Sequence, residues 1–242
     1  MTNVLDETVS PSPVPSRKWW RKPWVVPLGF VAAAFIAFSL PPYLTGDRAQ
    51  SRVQQPEFTW HYPLLVVHVI FASVAMITCV LQVWPWLRTR YPHVHRLSGR
   101  IYVFGGVLPA GLTAFAIGVI TPFGPAALAS GMVMAPLWLI FTYKGYRAAR
   151  QRLFVDHRKW MIRSFALTMS IITNRIWGVV FTISLMPQLE TTFHGDDKLL
   201  TYSSAGATTW LGWVIPLLIA EWWLQRDEVA RRKAKMLARR TG

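Results

Sequence analysis

Apolar runs of about twenty residues alternate along this chain with short stretches rich in Arg, Pro or Gly. Six runs stand out, at about 24–44, 61–87, 98–120, 126–143, 160–184 and 207–224. At 1.5 Å per residue, about twenty residues of helix cross a bilayer core of about 30 Å. Pro41 and Pro42 close the first run, and Thr121-Pro-Phe-Gly-Pro125 makes a tight turn between the third and fourth. The pattern predicts an all-α polytopic membrane helical bundle with six transmembrane helices.

Polar positions inside the runs follow helical faces. On the third run the face reads His95, Gly99, Tyr102, Gly106, Pro109, Thr113. The fifth reads His157, Ser164, Thr168, Ile171, Arg175, Gly178, Thr182. A weaker face on the second carries His61, His68, Ala75, Cys79 and Gln82. Small and hydroxylated residues at this spacing let membrane helices approach closely and satisfy one another, which accounts for most of both stripes. It does not account for Arg175. That residue lies about 27 Å along the helix from His157, and an arginine left in lipid costs at least ~3 kcal/mol. Arg175 is therefore expected to face the bundle, a polar cavity shared with His68 and Asn174, or an anionic partner.

Composition agrees with the membrane class: 52% of the 242 residues are hydrophobic, and 13 Trp and 13 Phe stand against 15% charged residues. The net charge of +15 could suggest nucleic acid, but its placement does not. Of the 26 Lys and Arg, 21 fall in the N-tail, the loops after the second and fourth runs, and the C-tail. The opposite loops hold Arg48, Arg52 and Lys198 among five carboxylates. By the positive-inside rule both N and C termini are cytoplasmic in a multi-pass cell-membrane protein, and no nucleic-acid partner is implied. Residues 1–23 read as a disordered basic cytoplasmic tail, 24–225 as the six-helix domain, and 226–242 as a second basic cytoplasmic tail. That second tail is either solvated or a helix lying on anionic lipid. The single Cys79 excludes a disulfide framework within the chain.

Candidate chemistry centres on two histidines. His95 and His157 each begin an odd-numbered helix at the cytoplasmic face, which expects them at matching depth. Axial ligation of haem b by two imidazoles needs that arrangement, and Arg100 and Arg163, beside Arg96 and Arg158, are placed to receive propionates. Membrane electron transfer with a quinone or other redox partner is the leading reading. A proton relay or ligand gate could use the same histidines. The competing class is a non-redox transporter, sensor or accessory subunit with no cofactor and a polar site around Arg175. Asp156 is placed to cap the fifth helix, and Glu221 to meet Arg226 or the membrane interface. No Ser/His/Asp set, carboxylate pair or phosphate loop points to hydrolysis.

The run "HRLSGRIYV" (95–103), followed by "DHRKWMIRSFAL" (156–167), resembles a prokaryotic family of predicted membrane proteins, domain of unknown function 2306. The resemblance covers about residues 60–225 and takes in His68, "LQVWPWLRTR" and Arg175 with Trp177. It implies a multi-helix membrane domain and carries over no catalytic residue. More distantly, the repeated helix pairs are similar to transmembrane cytochromes b of the ascorbate-reducing type, whose four core helices hold two bis-histidine haems. This chain departs from that pattern in lacking a histidine on the fourth helix.

Overall fold

A computed structural model describes residues 24–53 and 59–241. The expected disordered tail at 1–23 lies outside the described residues. Among the described residues, six long helices follow in order: α1 (Val25–Ser39), α2 (His61–Val83), α3 (Pro92–Val119), α4 (Pro125–Arg150), α5 (Phe154–Leu185) and α6 (Asp197–Thr241). Short helical turns at Pro41–Leu44, Arg48–Gln50, Pro85–Arg90 and Met186–Gln188 link them, and no strand occurs among the described residues.

Five of the six, α2 to α6, are long and apolar enough to cross a membrane. The first is apolar but has only 15 residues, about 22 Å of helix. The expected run of 24–44 is interrupted because Pro41 and Pro42 have no N–H to donate to the preceding turn. The chain bends at Leu40 and Tyr43 tucks against Tyr62 at the start of α2, where the Tyr62 hydroxyl donates to the Asp47 carbonyl at 3.1 Å. Other boundaries also move. Helices α3, α5 and α6 start before their apolar runs, and α4 and α6 end well after theirs, because a helix does not stop where lipid gives way to headgroups. Helix α6 continues to Thr241 through the stretch read as a tail. The expected Asp156 cap is corrected: α5 starts at Phe154 with no side-chain cap, and Asp156 falls in its first turn.

The bundle is assembled from neighbouring helices. Helix α2 packs on α3, α3 on α4, and α4 on α5, while α5 and α6 share the most extensive interface. Helix α1 packs on α2, with Val80 against Gly29. The middle of α3, Ile101–Val107, widens to a π-helix in which the Leu108 N–H donates to the Val103 carbonyl five residues back. Pro109 offers no N–H to the Gly105 carbonyl, and the wider turn absorbs that lost bond.

Small residues set how closely the helices meet. A Cβ on Gly106 would sit 2.8 Å from the Ala75 Cα, and Gly118 and Gly131 meet backbone to backbone where α3 crosses α4. The packing role read for Gly106 from its stripe is the one the structure shows. The central core gathers Ala75, Cys79, Tyr102, Val107, Ala110, Trp138, Leu167 and Trp213 from α2 to α6.

Gly106→Val is expected to lower stability by about 1–3 kcal/mol through overpacking against Ala75. Gly29→Ala, whose added Cβ finds only Val80 Cγ1 at 3.7 Å, serves as the neutral comparison. Thermal melts in one detergent check the pair, and equal midpoints would show that the α2–α3 approach is not close.

Candidate functional site

Helices α3 and α5 run in the same direction and begin in the same way. His95 is the fourth residue from Pro92, and His157 the fourth from Phe154. Each closes the first turn with its own N–H, His95 to the Tyr91 carbonyl at 3.1 Å and His157 to the Leu153 carbonyl at 2.9 Å. Both rings therefore sit one turn inside their helices, deeper than the mouths at which the sequence placed them. The His95 ring lies within electrostatic reach of His157, Arg88 and Arg96.

The two imidazoles are held differently. The Gly145 carbonyl on α4 receives the His157 Nδ1–H at 2.8 Å, which makes Nε2 the nitrogen free to bind a metal in the neutral tautomer. Gly145 is where α4 comes close to α5, since a Cβ there would strike Met161 Sδ at 2.6 Å. His95 is tied through its backbone: Gln82 Nε2, on α2, donates to the His95 carbonyl at 2.9 Å and to Ser98 Oγ at 2.6 Å. Its ring nitrogen Nδ1 is buried with no hydrogen-bond partner. Buried nitrogens without partners are rare because each has lost its water and gained nothing in exchange.

Two turns deeper, a closed hydroxyl network joins α3, α4 and α5. The Tyr102 hydroxyl meets Ser164 Oγ at 2.6 Å and Thr168 Oγ1 at 2.7 Å. Trp138 Nε1 donates to Thr168 Oγ1 at 3.0 Å, and Thr142 meets Ser164 at 2.6 Å. Thr142 and Thr168 give their own protons to the carbonyls of Trp138 and Ser164. Cys79 on α2 lies against Tyr102 and Thr168. Tyr102 and Ser164 each follow their histidine by seven residues, so this bond sets the register that brings His95 and His157 to one depth. Its members lie on the stripes read from sequence, except Trp138 and Thr142, whose place on α4 only the packing reveals.

The arginines separate. Arg100 is exposed. Arg163 makes a two-pronged ion pair with Glu221, its Nη2 donating to Oε2 at 2.8 Å, and it also lies over the Trp160 ring. The expected pairing of Glu221 with Arg226 is thereby corrected; Arg226 lies over Trp222 instead. Below this pair, Arg158 meets Asp227 at 2.7 Å and Lys159 meets Glu228 at 3.1 Å, while Arg231 and Arg232 bind the same two carboxylates. An ionic ladder thus fastens the start of α5 to the second half of α6. No direct signal in the sequence announces it, although the runs "HRK" and "RDE" are complementary.

The three residues assigned to a polar cavity lie at three different interfaces. The Ala110 carbonyl accepts from His68 Nδ1 at 2.9 Å, with Thr113 Oγ1 at 3.3 Å, which ties α2 to α3. Asn174 Nδ2 donates to the Thr208 carbonyl on α6 at 3.4 Å. Arg175 is exposed on the outer face of α5, in an open groove with Phe35, Ile176 and Val179. Among the described residues, no three of His, Cys, Asp and Glu converge as a protein-only metal site requires.

The family described as predicted membrane protein (DUF2306) matches the chain over residues 65–224. No curated protein and no solved structure matches it, so the distant likeness to cytochromes b finds no counterpart there.

Glu221→Gln is expected to cost about 1–2 kcal/mol, between the values for an exposed and a buried pair. The exchange Arg163→Glu with Glu221→Arg should recover most of that loss. A double-mutant cycle on thermal stability in detergent checks it, and additive losses would show that the pair contributes nothing.

Proposed function

We propose that this chain, which belongs to the DUF2306 family of predicted membrane proteins, holds one haem b between His95 and His157 and serves membrane electron transfer. The observation that carries this reading is the pair itself. Two imidazoles on parallel helices sit at one depth within electrostatic reach, and one of them has a buried nitrogen without a partner.

The donor set fits the group. A ligating histidine commonly gives its second ring N–H to a backbone carbonyl, as His157 does to Gly145, and so presents Nε2. His95 keeps an unused nitrogen of its own. Among the described residues no third His, Cys, Asp or Glu joins the two histidines, so an iron here would need a macrocycle for its remaining positions, which favours a porphyrin over a protein-only metal centre. When bound, the haem supplies a one-electron redox couple.

The residues around the pair have distinct tasks. Gln82 holds the first turn of α3 in place, and Gly145 orients the His157 ring. Glu221 neutralises Arg163, so of the two arginines assigned to propionates Arg100 remains for that role. Lipid and the packed hydroxyl layer beneath the histidines limit water from the membrane side. The same reading puts both termini in the cytoplasm, with α1 as a sixth, thin span. The charge partition supports that orientation.

Protein purified in detergent from haem-supplied cells is expected to show a Soret band and a reduced α band, with one haem per chain by pyridine haemochrome. His95→Ala or His157→Ala should abolish both bands, while His68→Ala should retain them. A colourless wild-type preparation would falsify the haem reading. Reporter fusions at each end test the topology separately: both must report from the cytoplasm, and an external N-terminus would remove α1 as a span.

A further inference from the structure

Among the described residues, Arg175 is the one cation that the bundle leaves facing outward in the middle of a membrane-crossing helix. It stands ten residues before the end of α5, and its neighbours Phe35, Ile172, Ile176, Val179 and Val180 are all apolar. Among the described residues it has no ion pair and no hydrogen bond, and no Asp or Glu lies within 160–184 to supply one. The other arginine well inside α5, Arg163, is neutralised by Glu221. Arg175 is not a member of the His95–His157 site, and its role is independent of the haem reading.

The surroundings say what would complete it. The open groove between α1 and α5 has a volume of about 440 Å³ and is lined only by hydrocarbon, the aliphatic stem of Arg175 included. Such a shape takes a long apolar chain, and the exposed Arg175 supplies a positive charge beside it for the head. Helix α1, which forms one wall through Phe35, is also the shortest of the six at 15 residues, about 22 Å against a bilayer core of about 30 Å. A short helix is accommodated by local thinning of the bilayer and by snorkelling of flanking side chains. Phe35 lies only four residues before the end of α1. Thinning on this face draws the outer headgroups inward, toward the level of Arg175.

We infer that the α1–α5 groove is a binding site for one anionic phospholipid, with its phosphate on Arg175 and an acyl chain lying along Ile176, Val179 and Phe35. A guanidinium donates two parallel N–H bonds to phosphate oxygens, a geometry that lysine does not reproduce. The site supplies the charge partner that the fold itself omits.

The test uses the full chain in mild detergent, stripped of lipid and then titrated with phosphatidylglycerol, with binding read by native mass spectrometry. One phosphatidylglycerol should be retained per chain, and diacylglycerol, which has the same tails without the phosphate, should bind at least about tenfold more weakly, about 1.4 kcal/mol. Arg175→Gln should remove that preference while leaving helicity and monodispersity unchanged. Val179→Trp, which fills the groove and keeps the charge, should lower retention of both lipids. Equal binding of the two lipids by the wild type, or undiminished phosphatidylglycerol retention by Arg175→Gln, overturns the proposal. So does selective retention of a fatty acid or quinone in place of the phospholipid. The visible spectrum is independent of each outcome, so failure here and failure of the haem reading are separable.

Discussion

In hydrocarbon, a tyrosine hydroxyl has no water to turn to, and the bond from Tyr102 to Ser164 and Thr168 is the constraint around which this bundle is arranged. It joins two helices that are not neighbours in sequence, and it is side-chain specific where the surrounding apolar packing is not. Sliding α3 along α5 by one turn would break both contacts and leave the Tyr102 hydroxyl without a partner. Apolar surfaces tolerate such slips, but buried hydroxyls do not. Because each histidine precedes its network residue by seven positions, the depth of the imidazole pair is set by a bond two turns, about 10 Å, away.

Much of this was legible from spacing. Five of the runs became crossing helices, and the stripes on α3 and α5 contain Tyr102, Gly106, Ser164 and Thr168, all central to the packing. The period of 3.6 reports which residues share a face, so those faces could be read. It does not report what a face meets. The α3 stripe divides in the structure: Tyr102 turns to α5, while Gly106 meets α2 at Ala75 and Thr113 meets it at His68. The π-turn at 101–107 makes that rotation, and its cause, the missing N–H of Pro109, shows only once the helix is built.

Long-range charge pairing was the least legible part. Glu221 has Arg226 close by in sequence and Arg163 far from it, yet the distant arginine wins. Helix α6 runs antiparallel to α5, so the carboxylate meets Arg163 across the interface in a two-pronged geometry. Arg226 is five residues on in the same helix and turns to the Trp222 ring. The ladder of Arg158, Lys159, Asp227 and Glu228 extends the same antiparallel register. It converts what reads as a basic tail into a continuation of α6. The stripe that carries Arg175 also changes its surroundings along α5. Its face on α5 meets α4 at Met161, Ser164 and Thr168, but farther out α4 turns Ser130 and Ala126 to Trp213 and Trp210 of α6. The same stripe therefore starts in the core and ends beside α1.

Helix α5 thus passes through three kinds of pairing, ordered by the solvent at each depth. At its N-terminal end Arg158, Lys159 and Arg163 meet part-exposed carboxylates, because ions there keep part of their hydration. In the middle, where full charges are too costly, the hydroxyls of Tyr102, Thr142, Ser164 and Thr168 pair with one another and with helix carbonyls. In its second half Arg175 stands exposed among apolar side chains, with no counter-charge among the described residues. The imidazole pair lies at the join of the first two layers. A histidine suits that position because its neutral form survives burial while its second nitrogen still offers a strong donor or acceptor. A lysine or carboxylate in the same place would need a counter-ion, and a serine would offer no comparable ligand. The depth set by Tyr102 is therefore also the depth at which an imidazole is the polar group that can remain neutral, buried and available.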